Sequence, residues 1–202
     1  ALVVLALHLP ERTRLLYNSG ILIAYSLMIA VAINVGVKIG SVEISPVHGV
    51  GILLLLSLPR TAVATSLWVV ALASFVGEIV FAWRQRSERP IPTVIFGVAR
   101  MILSFYAAAL VYTGPLPLRN VDGETILPVM ILGLTFTLTY GALFLLEVAS
   151  ASLPMRSLRP RMVELILLLF LPIPFSVLGA VIFNQLSVLL FAIYLASLAL
   201  IL

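Results

Sequence analysis

The 202-residue sequence contains no cysteine. That excludes disulfides, thiolate metal sites and cysteine nucleophiles together. Charge is scarce as well: Asp, Glu, Lys and Arg make up 10% of the chain, against about a quarter in soluble domains. Histidine occurs only as His8 and His48, so a bis-histidine haem is not expected. The one lysine, Lys38, lies outside every long apolar run, which excludes a retinal-type Schiff base. No His-x-x-x-Asp, Gly-x-Ser-x-Gly or Asp-x-x-Asp constellation occurs. Catalysis needs a nucleophile beside a base, paired carboxylates or a metal cluster, so an enzyme is not expected, nor is a cofactor. The basic balance of +4 forms no stripe, and nucleic-acid binding is therefore not expected either.

What the chain does have is apolar length. Hydrophobic residues make up 62%, and the mean hydropathy is +1.23. Six runs reach the roughly 17–25 residues that cross a bilayer: 15–36, 61–83, 93–113, 125–149, 163–183 and 186–202. A seventh, 47–58, would reach only about 18 Å as a helix. Such a half-span or re-entrant helix is tolerated where protein covers it. The expected fold is all-α: a polytopic membrane helix bundle of six transmembrane helices plus one short half-span. Residues 1–14 read as an N-terminal interfacial or trimmed segment, and 15–202 as a single transmembrane domain.

Positive-inside counting gives an orientation. If the short run does not cross, Arg12, Arg14, Arg84, Arg86, Arg89, Arg156, Arg159 and Arg161 share one side. The other side holds Lys38, Arg60 and Arg119, offset by Glu43, Asp122 and Glu124. Both termini are then expected in the cytoplasm, in a bacterial cytoplasmic membrane. Proline-rich punctuation at 57–60, 89–92 and 114–117 agrees with these boundaries. Leu171-Pro172-Ile173-Pro174 is expected to kink the fifth span.

An ionisable residue inside a span costs at least about 2.5–3.5 kcal/mol at the helix centre, so it carries a functional hypothesis. Glu78 lies five residues before Trp83, and Arg100 seven residues after Thr93. Equal depth on adjacent antiparallel helices makes them an expected ion pair, structural first and a switch second. Glu147 and Glu164 lie near helix ends, where interfacial solvation suffices. Asn34, His48 and Tyr112 are candidates for a ligand pocket on the outer side, from depth alone. Thr135 and Thr139 share a helix face near Thr137 and Tyr140, which reads as packing. Gly20/Ala24, Ser26/Ala30 and Ala73/Gly77 are small-xxx-small pairs that let helices approach closely.

The stretch from Ile44 through Ser45-Pro46-Val47-His48-Gly49 to Pro59-Arg60 and Gly77-Glu78 comes first. Then follow Arg89-Pro90 to Arg100, Ala107 to Tyr112, the Thr-rich span and the hairpin at Asn184-Gln185. This order resembles the N-terminal multi-helix sensor domains of bacterial signalling proteins, those that precede cytoplasmic HD-type phosphohydrolase, GGDEF or histidine-kinase modules. It is also similar in plan to the S-components of energy-coupling-factor vitamin transporters, although Gly20/Ala24 and Ser26/Ala30 stand where an Ala-x-x-x-Ala docking motif belongs. The first resemblance implies a membrane-embedded input domain. It would bind a small ligand or sense the bilayer, and pass helix rearrangement to a cytoplasmic output module beyond Leu202. The alternatives are a substrate-capture transporter subunit and an accessory subunit with partner membrane subunits.

Overall fold

The computed structural model describes residues 1–8, 19–35, 37–39, 42–44, 47–57, 62–84, 90–113 and 126–150, with 174, 177, 178 and 181 in addition. The elements are α1 (Leu2–Leu7), α2 (Ser19–Asn34), β1 (Val37–Ile39), β2 (Val42–Ile44), α3 (Val47–Ser57), α4 (Val63–Arg84), α5 (Pro90–Thr113) and α6 (Ile126–Ser150). Three helices are long and apolar enough to cross a membrane, over Val63–Arg84, Val94–Thr113 and Val129–Leu146. At 22 residues, α4 is about 33 Å long, against about 30 Å of hydrocarbon. The expected spans 163–183 and 186–202, with the Pro172–Pro174 kink, lie outside the described residues apart from isolated positions.

Helix ends follow local chemistry. The α5 helix takes in Pro90 and Pro92 rather than starting after them. A proline in the first turn gives up an N–H that has no intrahelical partner there. Pro128 holds the equivalent place in α6. At the far end of α2, Arg84 Nη1 donates to the Asn34 carbonyl at 3.0 Å, capping a helix end that carries partial negative charge.

One short strand pair is added to the helical plan. β1 and β2 pair antiparallel, with Val37 opposite Ile44, Lys38 opposite Glu43 and Ile39 opposite Val42. The sequence signal is the alternation Val-Lys-Ile and Val-Glu-Ile about Gly40-Ser41, a two-residue hairpin pattern.

A correction concerns chain direction. Ala30, Ile33 and Asn34 near the end of α2 meet Gly77 in the last third of α4. The Tyr25 hydroxyl donates to Ser57 Oγ at 2.7 Å, six residues before α4 begins. These two contacts make α2 and α4 parallel. The α3 helix therefore carries the chain from the end of α2 back to the start of α4. The start of α2 and the end of α4 consequently lie at opposite ends of the bundle, where the expected layout had them at one end; Arg12, Arg14, Arg86 and Arg89 themselves lie outside the described residues. The requirement that protein cover the short run is met: every residue from Val50 to Ser57 is buried, and Ile52 and Leu54 are fully so. A helix apolar on every face belongs inside a bundle.

Around α3 the core gathers Tyr25 and Ile29 from α2, Leu67 and Val70 from α4, Phe105 from α5, and Leu132 and Phe136 from α6. The α4 helix is the central one: 56% of its apolar window is buried, against 28% for α6. Its outward face, with Leu72, Phe75, Val76 and Ile79 exposed, suits hydrocarbon. At the end where α4 starts, Trp68 Nε1 donates to the His8 carbonyl at 2.9 Å. The His8 ring lies edge-on to Tyr106 with centroids 5.2 Å apart, so α1 docks there.

Because the chain has no native cysteine, a two-cysteine variant reports helix direction cleanly. Ala30→Cys with Gly77→Cys is expected to form an intramolecular disulfide under mild oxidation, with the Ile33 side chain and the α2 backbone giving way to the new side chain at 77. Ile23→Cys with Gly77→Cys is expected to stay reduced. Cross-linking of the second pair and not the first would reverse the α2–α4 direction.

Candidate functional site

Two consecutive residues of α4, Gly77 and Glu78, tie three helices together. Successive helical residues point about 100° apart, so they address different neighbours. Gly77 faces α2. A Cβ added there would stand 2.8 Å from Ile33 Cδ1 and 3.2 Å from both Cα and carbonyl oxygen of Ala30. The contact joins the small-residue pairs Ser26/Ala30 and Ala73/Gly77. The Gly77 carbonyl also accepts from Asn34 Nδ2 at 2.9 Å, and the same amide nitrogen donates to the Ala30 carbonyl at 3.0 Å. Those two acceptors fix the amide orientation. Asn34 Oδ1 is left buried, without a hydrogen-bond partner among the described residues.

Glu78 faces α5 and is 8% exposed. A Cβ on Gly97 would overlap its carboxyl group. Glycine at 97 therefore makes the room in which a carboxylate is stored between two apolar helices. Three residues along the same α5 face is Arg100. Its guanidinium carbon stands 4.6 Å from the Tyr140 ring centroid and 5.4 Å from that of Phe144, both on α6. Such cation–π contacts are attractive by about 0.5–2 kcal/mol, more as the site is desolvated. The Arg100 carbonyl accepts from Ser104 Oγ at 2.7 Å. One turn before Glu78 on α4, Ser74 is fully buried, and its Oγ has no partner among the described residues.

Glu78 and Arg100 thus come to one junction of α4, α5 and α6, near the end where α4 stops and α5 starts. Of the ligand trio, Asn34 and Tyr112 are not brought together. Asn34 is at the level of Gly77, next to Glu78 and hence to Gly97. Tyr112 is fifteen residues beyond Gly97 on α5, about 22 Å along the axis, at the opposite end. The backbone of His48 is in the first turn of α3, and its side chain lies outside the described residues, as does that of Glu147; Glu164 is outside them altogether. Thr135 turns back on its own helix, donating to the Ile131 carbonyl at 2.8 Å. Thr137 is buried, with no partner for its hydroxyl among the described residues.

Sequence reading missed Gly97, Phe144 and the Asn34–Gly77–Arg84 arrangement. The signal for Gly97 was present: a glycine in a helix interior three residues from an intramembrane arginine has a packing reason. The aromatic contacts had no such signal, because rings at helical spacing are ordinary core. Among the described residues no group of three or more His, Cys, Asp and Glu side chains gathers to hold a metal. No protein-family model, no curated protein and no solved structure matches the chain.

The Glu78–Gly97 contact makes a sharp expectation. Gly97→Ala is expected to destabilise the protein by about 1–3 kcal/mol, the usual range for overpacking. In a Glu78→Ala background the same change is expected to be nearly neutral, since the overlapping group is gone. Thermal unfolding of the four proteins in one detergent measures this; equal penalties in both backgrounds would mean the two residues do not touch.

Proposed function

We propose that this chain is the membrane-embedded input domain of a bacterial signal-transduction protein, in which a small ligand or the state of the bilayer shifts helix packing and a cytoplasmic module reads the shift. The observation that carries the reading is the Gly77–Glu78 junction. A buried carboxylate between α4 and α5, a guanidinium between α5 and α6, and a hydrogen-bonded glycine between α2 and α4 occupy one level of the bundle. Displacing any one helix there disturbs the contacts of the others. Lipid is as apolar as the helix faces, so packing and polar contacts decide helix association. A polar junction is then the natural place to bias it.

Within this reading Glu78 and Arg100 form an ion pair across α4 and α5, shared with the rings of α6. Depth, the Gly97 recess and the one-turn spacing on α5 support the pairing. The six-span plan is retained as part of the proposal, with apolar runs 163–183 and 186–202 supplying the last two spans. The end at which α4 stops is assigned to the cytoplasm. The support is charge: Arg84, Arg86 and Arg89 outnumber Glu88 there, whereas Arg119 is offset by Asp122 and Glu124 between α5 and α6. On that assignment α1 lies on the far face, which replaces the arrangement with both termini inside.

Two measurements test the proposal. The polypeptide from its native membrane is expected to have an intact mass well above 21.9 kDa, with the excess in a soluble module. A mass near that value would leave nothing to read the signal and would end the input-domain reading. For the ion pair, Glu78→Ala and Arg100→Ala are each expected to destabilise by about 3–5 kcal/mol, the range for stranding one buried charge. The double variant is expected to lose less than the sum; simple additivity would exclude a direct contact.

A further inference from the structure

The seam between α5 and α6 is not sealed evenly. Toward the end of α5 it is closed: Phe105, Ala108, Leu132 and Phe136 are all fully buried. One to two turns back, Arg100 and Leu103 on α5 and Tyr140, Gly141 and Phe144 on α6 are only half-buried. A Cβ on Gly141 would meet nothing within 4 Å among the described residues, so they leave open space beside Tyr140. The seam therefore opens around a guanidinium, at the same end of the bundle as Arg84.

The depth of that guanidinium matters. Arg100 is six residues into the apolar window that begins at Val94, about 9 Å. A long helical side chain leans back toward the N-terminus of its helix, which brings the charge toward the headgroup level. The contacts with Tyr140 and Phe144 engage the cation as a whole. They hold it in place, and the planar guanidinium carries several N–H donors, so that it can serve more than one oxygen acceptor. Phe96, four residues earlier on the same face of α5, is 50% exposed and supplies an apolar flank. Basic recesses between membrane helices are places where anionic lipid headgroups bind.

We propose that the opening in the α5–α6 seam binds the phosphate of an anionic membrane lipid, with Arg100 as its principal donor and Tyr140 and Phe144 holding the guanidinium in position. The carboxylate of Glu78 at Gly97 takes one part of the same donor fork, and the phosphate takes another. Lipid occupancy then bears directly on how α5 meets α6. The site does not depend on the input-domain reading, because it requires no output module.

The test is native mass spectrometry of the full chain released from detergent, with phosphatidylglycerol or phosphatidylcholine of matched acyl chains added. Wild type is expected to retain phosphatidylglycerol preferentially. Arg100→Gln is expected to weaken that lipid about tenfold, the effect of roughly 1.4 kcal/mol, while Arg119→Gln in the α5–α6 connection keeps the preference. Should Arg100→Gln fail to fold, Gly141→Leu provides the second variant: it keeps every charge and fills the opening, and it is expected to abolish the preference while the helical circular dichroism is unchanged. Equal retention of the two lipids by wild type would overturn the proposal, as would undiminished preference in a folded Arg100→Gln or Gly141→Leu protein. Displacement of phosphatidylglycerol by millimolar inorganic phosphate would overturn the lipid assignment in favour of a free anion.

Discussion

The packing of this bundle depends on one close approach, that of α2 to α4 at Gly77. Between helices in lipid there is no hydrophobic gain, because hydrocarbon is as apolar as leucine. Association then rests on how near the backbones come and on the polar groups they share. At Gly77 both apply: the missing side chain brings Ala30 against the α4 backbone, and Asn34 bonds the Gly77 carbonyl across the gap. The next residue, Glu78, uses the same device in the other direction, with Gly97 as the recess. Two adjacent positions thereby set the spacing of α2, α4 and α5, and Arg100 extends the arrangement to α6.

Polar groups elsewhere show how a chain with little charge keeps its hydroxyls satisfied in an apolar setting. Ser26, Ser66, Thr113 and Thr135 each donate to the carbonyl four residues earlier. That choice satisfies the hydroxyl inside its own helix and asks nothing of a neighbour. Cross-helix bonds are placed where the chain must be pinned. Tyr25 to Ser57 joins α2 to the end of α3, Trp68 to His8 docks α1, and Arg84 to Asn34 closes the end of α2. Each of these joins parts of the chain that hydropathy alone leaves free to slide.

The short helix α3 shows where sequence reasoning stopped. Its length is less than that of a full span, and its unbroken apolar character required protein cover, which residues 50–57 have. Whether such a segment turns back or runs through is decided by what precedes and follows it. Here a hairpin at one end and the Tyr25–Ser57 bond at the other carry it from the end of α2 to the start of α4. Positive-inside counting favoured turning back, because running through exchanges whole loops between faces and evens out their charges. Asn34 and Tyr112 lie apart for the same reason: they were matched by depth on an assumed direction, and the direction is reversed for Asn34.

Composition and run length by themselves determined that this chain holds helices fit for a bilayer, where α4, α5 and α6 fall, and that Glu78 and Arg100 are its informative charges. They did so because the bilayer imposes a length and penalises buried charge, and both are readable residue by residue. Tertiary structure alone decided which face of each helix is covered, that α2 runs parallel to α4, and that glycines at 77 and 97 make the junction. Inward and outward faces are equally apolar here, as Ile29 buried and Leu27 exposed on the same helix illustrate. With no amphipathic stripe to read, the sequence carries no local mark of the inside. Only the meeting of distant backbones at a missing side chain supplies it.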